Sequence, residues 1–186
     1  MTMHNLWSTS VLIEDVDDDL ISDTINFLLT NKNELSGKEA YDDSILELSE
    51  LSTIKSKIFV PAFDKYLKQT LNKNLSDWAG NRINGWLVAY DQGRSLNYHN
   101  HRGSQLSAVL YLICDETDMG GEIVFTDPRQ NANRGYDSKF QEWFTPLKVR
   151  PKCGQLVVFP SFLYHYVTTY QSNIRLALPA DCFLYG

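Results

Sequence analysis

Three of the chain's four histidines, His99, His101 and His165, stand in its second half, in contexts unlike ordinary core packing. His99 and His101 are two residues apart beside an expected strand, and in extended chain such side chains share a face, so both rings can reach one ion. His165, on a later strand, would add a third imidazole and complete a facial set with open positions. Neutral nitrogen ligands in that arrangement suit Fe(II) and, to a lesser degree, other divalent transition metals. The competing reading is two loop histidines and one hydrogen-bonded histidine near a sheet surface, and spacing alone does not decide between them. Arg175, ten residues after His165, opens an expected strand whose alternation implies burial. A buried guanidinium needs a partner. Its planar fork can hold the distal carboxylate of a dicarboxylate through two parallel hydrogen bonds; Asp181 and Glu122 are the alternatives, in an ordinary structural bridge.

The elements that must position these groups fall into two textures. From Val16 to about Leu29, apolar residues recur at three- and four-residue intervals and predict a helix, with Asp17, Asp18 and Asp19 suited to its positive end. Ser36–Ser44 reads as a loop. A second helical pattern runs from Leu48 to Leu71, with Pro61 expected to kink or divide it. The first 75 residues or so therefore read as helical.

After Trp78, short runs of Val, Leu, Ile and aromatics between Gly, Asn, Asp and Pro predict strands over Gly85–Tyr90, Leu106–Cys114, Glu122–Thr126, Leu147–Arg150, Gln155–Phe159, Tyr164–Tyr170 and Arg175–Phe183. Loops are expected over Asp91–Tyr98, Asp115–Gly121 and Pro128–Phe144. The last is long and polar and carries Tyr136, Phe140, Trp143 and Phe144, so a substrate cover is expected there. Helices first and strands second give an α+β, mainly β order, with no linker between two domains.

Composition sets the outer limits. The 186 residues, 43% apolar and 22% charged, suit one globular domain. A net charge of −6 argues against general nucleic-acid binding, which needs a basic face. Cys114, Cys153 and Cys182 are odd in number and widely spaced, which predicts free thiols in a reducing, cytoplasmic setting, with neither a disulfide framework nor a zinc site. No basic-then-apolar leader opens the chain and no run approaches a membrane span.

Five segments in order, WLVAYDQGRSLNYHNH from Trp86 to His101, LSAVLYL from Leu106, GGEIVF from Gly120, GQLVVFPSFLYH from Gly154 to His165, and then Arg175, resemble the catalytic half of the prolyl-hydroxylase-like 2-oxoglutarate/Fe(II)-dependent dioxygenases. The resemblance covers roughly Gly85–Phe183. It implies a double-stranded β-helix, or jelly roll, with residues 79–186 catalytic and 1–78 a helical support in a single domain. It also implies Fe(II), 2-oxoglutarate and dioxygen as cofactor and co-substrates, with ascorbate as an accessory candidate. Carried over by position, His99 and His165 match iron-binding histidines, and Arg175 matches the residue holding the far carboxylate of 2-oxoglutarate. Tyr111 matches a tyrosine assisting there, and Tyr90 one whose hydroxyl reaches the same pocket.

The departure is His101, where the family usually has Asp or Glu. Three neutral imidazoles leave two positive charges on a divalent ion where a carboxylate would leave one. Three outcomes stay open: a three-histidine site of His99, His101 and His165; replacement of His101 by a carboxylate such as Asp91 or Glu122; or a vacated position. The implied activity is hydroxylation of a C–H bond, with a prolyl residue the leading suggestion and a peptide, protein, amino acid or other small molecule as substrate. The rivals are a non-catalytic jelly-roll binding protein and a three-histidine metal dioxygenase that does not use 2-oxoglutarate.

Overall fold

The computed structural model describes residues 8–35, 44–129 and 146–186. Two antiparallel sheets face each other. The larger contains β1 (Leu12–Asp15), β2 (Gly80–Gly85), β3 (Val88–Asp91), β5 (Leu106–Ile113), β8 (Gln155–Pro160) and β10 (Ile174–Tyr185), in the order β1-β8-β5-β10-β2, with β3 beside the first part of β10. The smaller runs β4-β9-β6-β7, from Leu96–His99, His165–Val167, Ile123–Phe125 and Leu147–Val149. Two facing antiparallel sheets of this kind form the expected jelly roll.

Why β5 reads as an unbroken apolar run follows from its place in the middle of the larger sheet, covered on both faces. Ala108, Leu110 and Leu112 join a core shared with the helices, while Val109 and Tyr111 point between the sheets. In β8, Leu156 and Val158 alternate in the same way with Val157 and Phe159. In β10, Leu176, Leu178, Ala180 and Cys182 pack toward the helices, whereas Arg175, Ala177, Pro179 and Asp181 line a cavity on the opposite face. One strand thus anchors the fold with one side and furnishes a site with the other.

The helices support that sheet. Helix α1 (Asp18–Leu35) begins later and runs longer than its expected Val16–Leu29; Asp17 Oδ1 accepts the Asp19 N–H at 3.1 Å, and Val16 instead donates its N–H to Gly154 O at 2.7 Å. Pro61 does not divide the second helix. A short turn α2 (Ser52–Ile54) runs through a wide π-type turn at Lys55–Phe59 into α3 (Val60–Leu71), with the proline in the first turn of α3. Proline lacks an N–H and crowds the preceding turn, and the widened turn absorbs both effects. No helix among the described residues is long and apolar enough to cross a membrane.

Three strands correct the sequence reading. β1 lies inside the stretch expected to be helical, and pairs with β8. β2, with the sequence GNRING, carries too few apolar residues to show alternation and is held by pairing with β10, while the chain breaks before β3, so Gly85–Tyr90 is not one strand. β4 falls in the expected Asp91–Tyr98 loop and is a mostly exposed edge strand. The expected substrate cover at Pro128–Phe144 lies, beyond Arg129, outside the described residues.

Candidate metal centre and anion pocket

His99 ends β4, His165 begins β9 opposite it in register, and His101 follows two residues after His99. The backbone N–H of His101 is held by Ser161 O at 3.0 Å. Their ring centroids are 4.4 Å apart for His99–His165, 5.2 Å for His101–His165 and 5.3 Å for His99–His101. One ligand atom from each lies within 4.8 Å of the others. His101 does not turn away, and the carboxylates weighed as replacements are elsewhere: Asp91 is exposed, and Glu122 accepts a hydrogen bond from the Thr168 hydroxyl.

The hydrogen bonds behind the rings fix their tautomers. His99 Nδ1 lies 2.7 Å from Asn97 O, His165 Nδ1 lies 2.9 Å from Leu163 O, and His101 Nδ1 lies 2.7 Å from Asp181 Oδ1. Each partner accepts, so each Nδ1 carries a proton and Nε2 is the atom that each neutral ring offers to a metal. Burial lowers the His99 pKa and pushes that of His165 down to about 4; the carbonyl bonds and Asp181 oppose the shift, and the neighbouring histidines add to it. His165 is therefore neutral at physiological pH, as a ligand must be. Three imidazoles that converge with Nε2 forward fit a divalent transition metal.

Asp181, which the sequence offered only as an alternative partner for Arg175, is the site residue that sequence reasoning missed. It sits behind His101 and also accepts a hydrogen bond from the Ser107 hydroxyl at 2.6 Å. Ser161 donates to Ser107, and Ser104 donates to Ser161, each at 2.8 Å. The negative charge that a carboxylate ligand would bring is thus present one bond further out, on a buried side chain. Period-two alternation along β10 was the signal that could have found it, since residues 175 and 181 share a face.

Arg175 is buried, 2% exposed, and among the described residues it makes no ion pair with a carboxylate; its Nε lacks a hydrogen-bond partner. Its guanidinium lies 4.9 Å from the Tyr111 ring centroid and 5.3 Å from that of Tyr90. The Tyr111 hydroxyl is fully buried and makes no hydrogen bond of normal geometry, although it is close enough to Arg175 to feel its charge. Burial raises the pKa of both phenols and Arg175 opposes the rise, so both remain donors. A buried cation with an unpartnered Nε beside a buried phenol hydroxyl has the chemistry to receive an anion.

Room for the guanidinium comes from Gly121. Its φ is +76°, and a Cβ there would stand 2.9 Å from Tyr170 Cδ2 and 3.2 Å from Arg175 Cδ. At Gly120, φ +73°, a Cβ would collide with Thr169 O at 2.0 Å. Gly121 thus clears the space that Arg175 occupies.

The histidines, Arg175, Tyr90 and Tyr111 line one cavity of about 260 Å³. Val109, Ile123, Val167 and Ala177 give it apolar walls, and Trp86, Leu96 and Asn100 also border it. All six residues singled out from the sequence therefore come together.

Comparison with known proteins agrees with this geometry. Residues 84–181, just over half of the chain, match the family described as "Putative 2OG-Fe(II) oxygenase". No curated protein sequence matches the chain. Among solved structures, a prolyl-4-hydroxylase from Pseudomonas putida superposes with a TM-score of 0.65 at 19% identity, covering 97% of this chain and 90% of that one. HygX from Streptomyces hygroscopicus, solved with nickel and 2-oxoglutarate bound, gives 0.64 at 11% identity, with coverages of 95% and 82%. A prolyl hydroxylase from Trichoplax adhaerens, in complex with a peptide fragment of the hypoxia inducible factor oxygen degradation domain, gives 0.60 at 15% identity, with coverages of 93% and 83%. At such identities the structural likeness establishes the fold, and the family match over the segment that carries the cavity establishes the rest: the chain belongs to the 2OG-Fe(II) oxygenases, enzymes that work with iron(II), 2-oxoglutarate and dioxygen.

Proposed function

We propose that this enzyme hydroxylates an unactivated C–H bond, with a prolyl residue of a peptide or protein as the favoured substrate class, and that its iron is held by three histidines. The observation that carries this reading is the meeting, in one cavity, of three Nε2 atoms with a buried guanidinium that has no carboxylate of its own. In this reading residues 79–186 carry the chemistry and residues 1–78 support them, with β1 joining the catalytic sheet.

His99, His101 and His165 would hold iron(II), which when bound supplies the activation of dioxygen and the oxidative decarboxylation of 2-oxoglutarate. The chain's own contribution is positioning. Arg175 and the Tyr111 hydroxyl hold the far carboxylate of the co-substrate, with Tyr90 stacked on the guanidinium. Asp181, Asn97 and Leu163 keep the three rings oriented, and the apolar walls exclude water. Support for the peptide class comes from the fold neighbour solved with a bound peptide.

Anaerobic titration with Fe(II), with and without 2-oxoglutarate, tests the reading through the metal-to-ligand charge-transfer band of the bound keto acid. The expected result is a band that appears only with both present. Folded, metal-loaded protein without that band would reject the assignment of this cavity. Oxidation of prolyl peptides, measured by mass, then tests the substrate class separately.

A further inference from the structure

Cys114 and Cys153 are 39 residues apart in sequence, yet their Sγ atoms lie 3.4 Å from each other. Cys114 follows directly after β5, and Cys153 sits in the turn that enters β8. The pair is knitted together by its backbone: the Cys114 N–H donates to Cys153 Sγ at 3.2 Å, and the Cys153 thiol reaches Cys114 O at 3.5 Å. The Cys153 N–H donates to Glu116 Oε1 at 3.0 Å, and Gly154 N donates to Tyr111 O at 2.9 Å. Both residues are only partly buried, whereas Cys182 is buried. Nothing in the proposed hydroxylation uses them.

We propose that Cys114 and Cys153 form a reversible dithiol–disulfide site, oxidised by a low-molecular-weight disulfide such as glutathione disulfide. A disulfide needs about 2.0 Å between sulfurs, so side-chain rotation must bring the two atoms closer. The roles of the two thiols differ. Burial and the neighbouring Cys153 sulfur keep the Cys114 thiol protonated, which leaves Cys153 as the attacking member of the pair. The Cys153 thiolate attacks one sulfur of glutathione disulfide, forms a mixed disulfide and expels one glutathione thiolate. Cys114, losing its proton to solvent, then attacks Cys153 Sγ and expels the second. Two thiols become one disulfide, and one glutathione disulfide becomes two glutathiones. The link would tie the end of β5, three residues from Tyr111, to the turn before β8.

The test treats the full, folded chain with glutathione disulfide and follows intact mass and alkylation at each cysteine. The wild type and Cys182→Ser are expected to lose the mass of two hydrogens, to protect residues 114 and 153 from alkylation, and to regain both thiols with dithiothreitol. Cys114→Ser is expected to stop at a stable glutathione adduct on Cys153. A persistent adduct on the folded wild type, or a link that forms only between chains, would overturn the proposal. So would protection of both thiols by Zn²⁺ without any linkage under glutathione disulfide, which would assign the pair, with Glu116, to a metal. None of these outcomes depends on iron or 2-oxoglutarate.

Discussion

Asp181 Oδ1 stands 2.7 Å from Nδ1 of His101, so the position at which a carboxylate ligand is usual in this family is occupied by an imidazole with a carboxylate behind it. The arrangement keeps a negative charge near the centre while leaving three nitrogen donors in front. Both members are largely buried, their side chains 10% and 4% exposed, and Ser107 satisfies Asp181 further.

Removing that charge tests its worth. Asp181→Asn is expected to weaken Co(II) or Fe(II) binding by roughly 10- to 100-fold, the usual cost of losing a group that orients a ligand. Asp181→Ala is expected to weaken it further and to destabilise the fold, because Ser107 and the imidazole N–H then lose a buried acceptor. Anaerobic metal competition, with circular dichroism to check folding, measures both. Unchanged affinity in Asp181→Asn would show that the carboxylate is structural only.

Arg175 and the histidines should separate cleanly. Arg175→Ala is expected to weaken 2-oxoglutarate binding by roughly 30-fold or more, since truncating one side of a buried charge pair costs about 2–5 kcal/mol. Metal affinity should change little. Arg175→Lys keeps the charge without the fork and should fall between the two. Equal weakening of metal and co-substrate would remove Arg175 from its assigned role.

Gly121→Ala places a methyl group against Arg175 and Tyr170 at a backbone conformation that L-residues disfavour. A stability loss of about 1–2 kcal/mol is expected from the backbone alone. Weaker 2-oxoglutarate binding with nearly normal metal binding should accompany it. Isothermal titration of the two ligands distinguishes this from general unfolding, which would reduce both.

The metal-free protein should lose stability on mild acidification. His165 titrates at about 4 when folded, against an unperturbed value of about 6.5. Between these values the unfolded chain binds the proton and the folded chain does not. Its contribution is therefore fully favourable above about pH 6.5 and declines as the pH falls toward 4. Urea midpoints at pH 7 and pH 5 should show the decline, and His165→Gln should show a smaller one. An identical decline in the variant would assign it to other groups.

Much of this protein could be read along the chain. β5, β8 and β10 declare themselves by apolar runs or alternation, because their buried faces demand particular side chains. The three histidines and Arg175 are legible through the five ordered segments around them, since their spacing alone left an ordinary structural reading open. β2 and β4 escaped notice because edge strands held by neighbours need no apolar pattern of their own.

What the chain order alone determined was the central strands β5, β8 and β10 and the candidate donors, since burial periodicity and ligand chemistry are properties of local sequence. Only the tertiary structure decided that Asp181 backs His101 rather than Arg175, that Gly121 makes space for the guanidinium, and that two cysteines far apart in sequence touch. Each of those depends on which strand lies beside which, and such pairings are fixed by packing between distant segments that no local pattern encodes.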